Sequence, residues 1–287
     1  RNPSFILLRD ITITIIRYCY FNSIKSSPIE MYYITQIYFA QNIFIKCISA
    51  VDIKLHNQQP FEKIFFAKTK FHKCYTIQYS VSASIAIYMA KQSYQTLSNF
   101  PNGSICFYQL SFEACDSIYG IGGIHVSFSR SWYISNKFNI SISIASCKFI
   151  NNTSKNHLRS AGTLKIIYAH RVLIRACKFL RNSGTISGAI FVGKTKCVTL
   201  SMNIFDSNTV YSSIGNSLHV KRAVNILLEN VIFSKNYSPA SLGTVFMENI
   251  EAVKIKNTSA SFNLGTTERS STIKLMRCKM VSVLYYY

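Results

Sequence analysis

The sequence predicts an all-β protein, a right-handed parallel β-helix, on three observations. One phrase recurs as Cys147-Lys-Phe149-Ile-Asn-Asn152, Cys177-Lys-Phe179-Leu-Arg-Asn182, Asn203-Ile-Phe205-Asp-Ser-Asn208 and Val231-Ile-Phe233-Ser-Lys-Asn236, with a worn copy at Ala260-Ser-Phe262. The steps from Phe149 through Phe179, Phe205 and Phe233 to Phe262 are nearly equal. A second phrase keeps step with it: Gly162-Thr-Leu-Lys-Ile, Gly188-Ala-Ile-Phe-Val, Asn216-Ser-Leu-His-Val and Gly243-Thr-Val-Phe-Met. Two registers advancing at one period mark a repeat protein. The third observation is that every repeated piece alternates with period two, and none holds a long run of helical spacing.

Each period contains three strands in order. The small-residue phrase comes first, as in Gly188-Ala-Ile-Phe-Val192. A β-branched run follows: Val172-Leu-Ile174, Val198-Thr-Leu200, Val224-Asn-Ile226 or Val253-Lys-Ile255. The Phe phrase closes the coil and ends in Asn and a polar turn. Such a coil cannot bury its apolar face alone. Stacking buries it, and each strand then pairs in parallel with its copies about 4.8 Å away. Phe149, Phe179, Phe205 and Phe233 should form an internal stack. Asn152, Asn182, Asn208 and Asn236 should form a ladder at one turn, bonding to each other or to backbone groups.

A leucine-rich horseshoe competes, since Ile174-x-x-Cys177-x-Phe179-x-x-Asn182 fits its line and the period is in range. It requires an apolar residue two places after the Asn, where Gly184, Val210 and Ser238 stand, and a helix that the β-branched half does not supply. The β-helix is the better fit.

The pattern is degraded but β-like before residue 120. Ile11-Thr-Ile-Thr-Ile alternates, Cys19-Tyr-Phe21-Asn22 echoes the Cys-x-Phe phrase, and Phe39-Ala-Gln-Asn42 fits F-x-x-N. Phe71-His-Lys-Cys74 and Phe112-Glu-Ala-Cys115 read as the same phrase with Cys in place of Asn. Ile85-Ala-Ile-Tyr-Met89 and Gly123-Ile-His-Val126 supply first strands, and Ser93–Ser104 reads as a protruding loop. The expectation is one domain over 1–287, with irregular coils over 1–120 and regular ones over 121–287. It would hold about eight or nine coils and measure about 40 Å.

The 287 residues carry 32 Lys plus Arg against 11 Asp plus Glu, a net charge of +21. That balance favours polyanionic partners such as acidic glycans or acidic surface polymers. The cations are scattered, densest at Lys68, Lys70 and Lys73, and no zinc finger, basic zipper or RNP phrase is present, so sequence-specific nucleic-acid binding is not expected. No transmembrane segment is legible: Ile11–Ile16 is too short, and Tyr75–Ala90 holds several Ser and Gln. The chain reads as a fragment cut at both ends. Six N-x-[ST] sequons, at Asn102, Asn139, Asn151, Asn152, Asn236 and Asn257, support secretion weakly in so Asn- and Ser-rich a chain.

Nine cysteines follow the repeat and not a bridging pattern, and Cys147 and Cys177 share one coil position, so free buried thiols are expected. No C-x-x-C occurs and no His pair stands at zinc-site spacing, so neither a metal nor another cofactor is expected. Polysaccharide cleavage would need paired carboxylates about 5 to 9 Å apart. The acids read as scattered, with only Glu113/Asp116 and Glu248/Glu251 close and no coil-to-coil acid ladder, so no catalytic residue is assigned.

Outward positions are more informative. If Leu164, Ile190, Leu218 and Val245 point in, the next residue points out. That yields a hypothetical stripe of aromatics and bases: Tyr88, His125, Lys165, Phe191, His219, Phe246 and Lys274. Aromatic faces could take sugar rings and the bases acidic groups.

The paired phrases, Gly188-Ala189-Ile190 and Gly122-Gly123-Ile124 with Phe149/Asn152, Phe179/Asn182, Phe205/Asn208 and Phe233/Asn236, resemble the repeats of the polymorphic outer-membrane protein family and related surface proteins with pectin-lyase-like right-handed β-helices. The likeness covers about half the chain. It implies a secreted or surface-displayed adhesin, with no catalytic residues in these motifs. The bacterial members' C-terminal membrane barrel has no counterpart in the chain's motifs. The reading is therefore an extracellular or cell-surface β-helix scaffold for adhesion or binding. The alternatives are a carbohydrate-active enzyme of the pectin-lyase-like group and a purely structural stalk.

Overall fold

A computed structural model describes residues 6–55, 61–76, 82–89, 102–128, 139–155, 161–211, 216–239, 243–265 and 272–286. The regular structure of the described residues is strand, without helix, stacked in parallel from coil to coil. The chain is a parallel β-helix.

Four ladders build it, three of them from the first coil onward. The first is built on the small-residue phrase and has ten rungs among the described residues: Ile6, Ile29, Val51, Ile85, Ile124, Leu164, Ile190, Leu218, Val245 and Ile273 lie in register. The second, on the β-branched runs, opens with Ile13–Arg17 and closes with Met280–Tyr286. The third carries the Phe phrase from Tyr20–Asn22 onward. The fourth is a seven-stranded sheet of two-residue strands just beyond the Asn positions, from Tyr75–Thr76 to Leu264–Gly265. In three later coils the first and second strands fuse, as in Ser187–Ser201, and in the final coil they are separate again.

Ten rungs exceed the expected eight or nine. The first two coils are the reason, because Ile6 pairs with Ile29 and Ile29 with Val51, the shortest steps on the ladder. The longest steps fall later, from Ile85 to Ile124 and from Ile124 to Leu164, so insertions reach past residue 120. Asn102–Tyr108 is a strand of the second ladder, which shortens the loop expected at Ser93–Ser104; residues 90–101 lie outside the described residues.

The core follows from period two. Leu164, Ile190, Leu218 and Val245 are fully buried, as are Phe149, Phe179, Phe205 and Phe233. The phenylalanine stack is longer than the clearest repeats suggested. Phe21, Phe44, Phe71, Phe112, Phe149, Phe179, Phe205 and Phe233 follow one another at 4.7–4.9 Å between ring centroids. Offset stacking of such rings adds roughly 0.5 to 1.5 kcal/mol per pair beyond area burial. Two assignments change. Phe39 belongs to a second stack with Phe66 and Phe107 on the second ladder, and the third-ladder residue of that coil is Phe44. At the far end Ala260 takes the position opposite Phe233, while Phe262 turns outward and is 80% exposed.

The asparagine ladder is complete and buried. Asn182 Nδ2 donates to Phe149 O in the preceding coil at 3.0 Å and to Asn208 Oδ1 in the next at 3.0 Å, while its Oδ1 accepts from the Asn152 backbone N–H and Nδ2. Asn152, Asn208 and Asn236 repeat the pattern, and Asn263 extends it. Every polar atom of each ladder amide is thus used, which is what makes a fully buried Asn tolerable. Burial also removes Asn152 and Asn236 as glycan acceptors in the folded chain. Cys47, Cys74 and Cys115 occupy the same column in the earlier coils, all buried, and all nine cysteines are free.

Corners are made by single left-handed residues, few of them glycine. Tyr18, Gln41, Lys68, Gln109, Ser146, Ala176, Met202, Asn230 and Asn257 turn the chain from second to third ladder at φ 44–57°. The small-residue phrase has another purpose. A Cβ on Gly162 would run into the carbonyl oxygens of Gly188 and Ser183, so glycine there admits close packing of coils.

Candidate functional site

The outer face of the first ladder gathers the most chemistry, because successive side chains oppose and the rungs hold them in line. Two columns stand side by side. One runs Glu30, Asp52, Ala86, His125, Lys165, Phe191, His219, Phe246, Lys274, each the register partner of the next. The other, two places along each strand, runs Arg9, Tyr32, Lys54, Tyr88, Ser127, Ile167, Gly193, Lys221, Glu248.

Six of the seven stripe residues, His125, Lys165, Phe191, His219, Phe246 and Lys274, therefore share one column. Tyr88 is displaced into the neighbouring column, because its register partner is Ser127 and the residue in line with His125 is Ala86. The stripe is packed against itself more than it is displayed. His125, His219 and Phe246 are 7%, 5% and 3% exposed. His219 lies edge-on to Phe191 at 5.2 Å and tilted against Phe246 at 5.0 Å between ring centroids. Its Nε2 is 3.4 Å from Glu248 Oε1, close enough to stabilise the carboxylate although neither ring nitrogen makes a well-aligned hydrogen bond. Lys221 Nζ reaches the same oxygen at 2.5 Å. His219 first, then Lys221, hold the Glu248 carboxyl down to about 2.

The other end of the face carries a polar cluster that sequence reading missed. Glu30 and Asp52 are register partners on adjacent coils, a close acid pair beyond the two that were legible within single turns. The signal was hidden because the first coils are short and their small-residue phrase is lost. Lys54 Nζ donates to Tyr32 Oη at 2.7 Å, and Tyr32 Oη donates to Glu30 Oε2 at 3.0 Å. Tyr88 Oη donates to Asp52 Oδ2 at 3.1 Å, and Lys54 Nζ stands 3.6 Å from that oxygen. Asp52 is 8% exposed, and its Oδ1 has no hydrogen-bond partner. Burial pushes the Asp52 carboxyl up against the pull of Lys54 and Tyr88, and burial followed by the Asp52 charge raises the Tyr88 phenol. Burial opposes the charge on Lys54, but the Tyr32 hydroxyl and Asp52 outweigh it and raise the ammonium. The cluster is a nearly closed charge network with one buried carboxylate oxygen, Asp52 Oδ1, unspent.

Among the described residues no group of three or more His, Cys, Asp or Glu is placed to hold a metal ion, and no helix is long and apolar enough to cross a membrane. Comparison of the chain with protein-family models, with curated proteins and with solved structures finds no match.

Proposed function

We propose that this chain is a non-catalytic β-helix scaffold, secreted or displayed at a cell surface, that binds an extended acidic polymer such as an acidic glycan. The observation that carries the reading is charge on a rigid linear frame. A net charge of +21 is set on coils whose rungs repeat at about 4.8 Å, and the fold supplies few carboxylates to neutralise it. The lysine–carboxylate pairs of the described residues involve Lys54, Lys221, Lys256 and Lys279. Cations in excess on one stiff body raise the local concentration of polyanions and steer them onto it.

The self-packing of the aromatic stripe supports a structural part for Phe191, His219 and Phe246, while Lys165 and Lys274 add to the positive balance. A second reading, a carbohydrate-active enzyme, is favoured by one specific observation. Glu30 and Asp52 stand on neighbouring rungs, and burial pushes the Asp52 carboxyl up in the direction a general acid needs.

One assay separates the two. The purified chain is titrated with sulfated, carboxylated and neutral glycans at several salt concentrations, and the same mixtures are analysed for shortened products. Binding to the acidic glycans that weakens with salt, with all polymer recovered intact, is the expected result. Oligosaccharide release that disappears in Asp52→Asn would establish the enzyme reading instead.

A further inference from the structure

We propose that the acidic polymer lies along the third ladder, on two parallel columns of cations, and that it is a linear anionic glycan; this rests on the scaffold reading above. The first column consists of outward strand residues. Lys70, Ser111, Lys148 and Lys178 are successive register partners, and all three lysines are exposed. The second column is the corner that follows each Phe strand. Lys46, Lys73 and Arg181 occupy three of its five rungs, exposed, in the same left-handed conformation at φ 51°, 52° and 53°, with the uncharged Ala114 and Asn151 on the two rungs between Lys73 and Arg181. Each corner is tied to the next coil by its backbone N–H, Lys46 to His72 O at 2.9 Å, Lys73 to Glu113 O at 2.9 Å and Arg181 to Asp206 O at 2.9 Å. The cations therefore project from fixed points on a stiff frame, so ordering the backbone adds nothing to the cost of binding.

Sign and spacing select the ligand. Over the five rungs from Lys46 to Arg181, the described residues of the Phe strands and the corners flanking them include one carboxylate, Glu113, and His72 stands 3.5 Å from it. None of the six cations is in an ion pair among the described residues. Behind them the Phe rings stack at 4.8–4.9 Å between centroids, so successive rungs keep one spacing. A rung step of about 4.8 Å is close to the length of one pyranose unit, so a chain of acidic sugars running along the axis meets a new rung with each ring. Single-stranded nucleic acid would ask for aromatic platforms between the charges. Between Lys46 and Arg181 the two columns hold no aromatic residue.

The test uses the whole chain and a heparin-type sulfated oligosaccharide as probe. Lys148→Gln, Lys178→Gln and Arg181→Gln are combined in one variant. A second variant combines Arg222→Gln, Lys254→Gln and Arg277→Gln, three exposed cations of the first two ladders and their corners. Both lose the same charge. The expected result, at about 0.15 M salt, is at least tenfold weaker binding for the first variant and a change within about twofold for the second. The slope of log affinity against log salt should fall by about two to three for the first variant. In the unmodified chain, bound oligosaccharide should protect Lys148 and Lys178 from amine acylation, a readout that needs no substitution.

Equal weakening in both variants, or no protection of those lysines, would overturn the assignment of the face while leaving the acidic-polymer reading in place. No binding of the unmodified chain even at low salt would overturn both. Tighter binding to single-stranded DNA of matched length than to the sulfated probe would overturn the glycan identity.

Discussion

At the scale of single residues, the buried amides and the buried carboxylate carry the sharpest consequences. Asn182 makes four hydrogen bonds through its side chain, two given and two received, across three coils. Asn182→Ala strands its partners in a dry turn, and each unsatisfied buried group costs about 1–3 kcal/mol. A loss of about 3–5 kcal/mol in denaturant unfolding is expected, against little for Arg181→Ala one place earlier, where the side chain is exposed. Glu248 gives a pH signature. Its folded value, about 2, lies below the ordinary 4.5, so its contribution is present above the unfolded value and lost as pH falls from 4.5 through 2. Thermal melts across that window should show a loss on the order of 1–2 kcal/mol attributable to this group, allowing for screening at Lys221. Glu248→Gln should remove that share of the acid sensitivity. The Asn ladder was legible in the sequence because four F-x-x-N copies share one spacing. Glu248 beside His219 and Lys221 was not, since the partners belong to different repeats and only the rung register joins them.

At the scale of the element, the alternation of apolar and polar residues was enough to find the strands, and the Phe spacing was enough to stack the later ones. It failed where two phenylalanines compete for one phrase. Phe39 and Phe44 both precede polar residues, and only the pairing of Phe44 with Phe71 shows which strand belongs to the third ladder. Phe262 shows the opposite failure, for the repeat survives in Asn263 while the core position has passed to Ala260. Corners were the least legible feature, because turns are commonly sought through Gly and Asn, whereas Ala, Gln, Lys, Ser and Met hold most of these left-handed positions. A left-handed non-Gly residue costs about 1–2 kcal/mol. Ala176, exposed at φ 53°, is a clean place to measure it. Ala176→Gly should stabilise the chain by about 0.5–1 kcal/mol, the relief of strain less the greater backbone freedom of glycine in the unfolded chain. An unchanged or lower melting temperature would argue against a left-handed corner there.

At the scale of the whole molecule, the proposed binding face depends on rungs that stay in register from coil to coil. Register converts cations scattered through the sequence into columns, and it brings Glu30 beside Asp52 and Lys148 beside Lys178. No charge run in the sequence announces those columns, since Lys148 and Lys178 are separated by a full repeat. The most direct test is to join them. Lys148 and Lys178 are paired as Cα partners on adjacent coils, where strands lie about 4.8 Å apart, inside the Cα range of about 4.4–6.8 Å that a disulfide accepts. With Lys148→Cys and Lys178→Cys introduced together, mild oxidation followed by peptide mapping should recover one intramolecular bond between those two positions, in a monomer that still unfolds cooperatively. Free thiols at both positions, or bonds formed only between molecules, would contradict the register and with it the columns on which the proposed binding face stands.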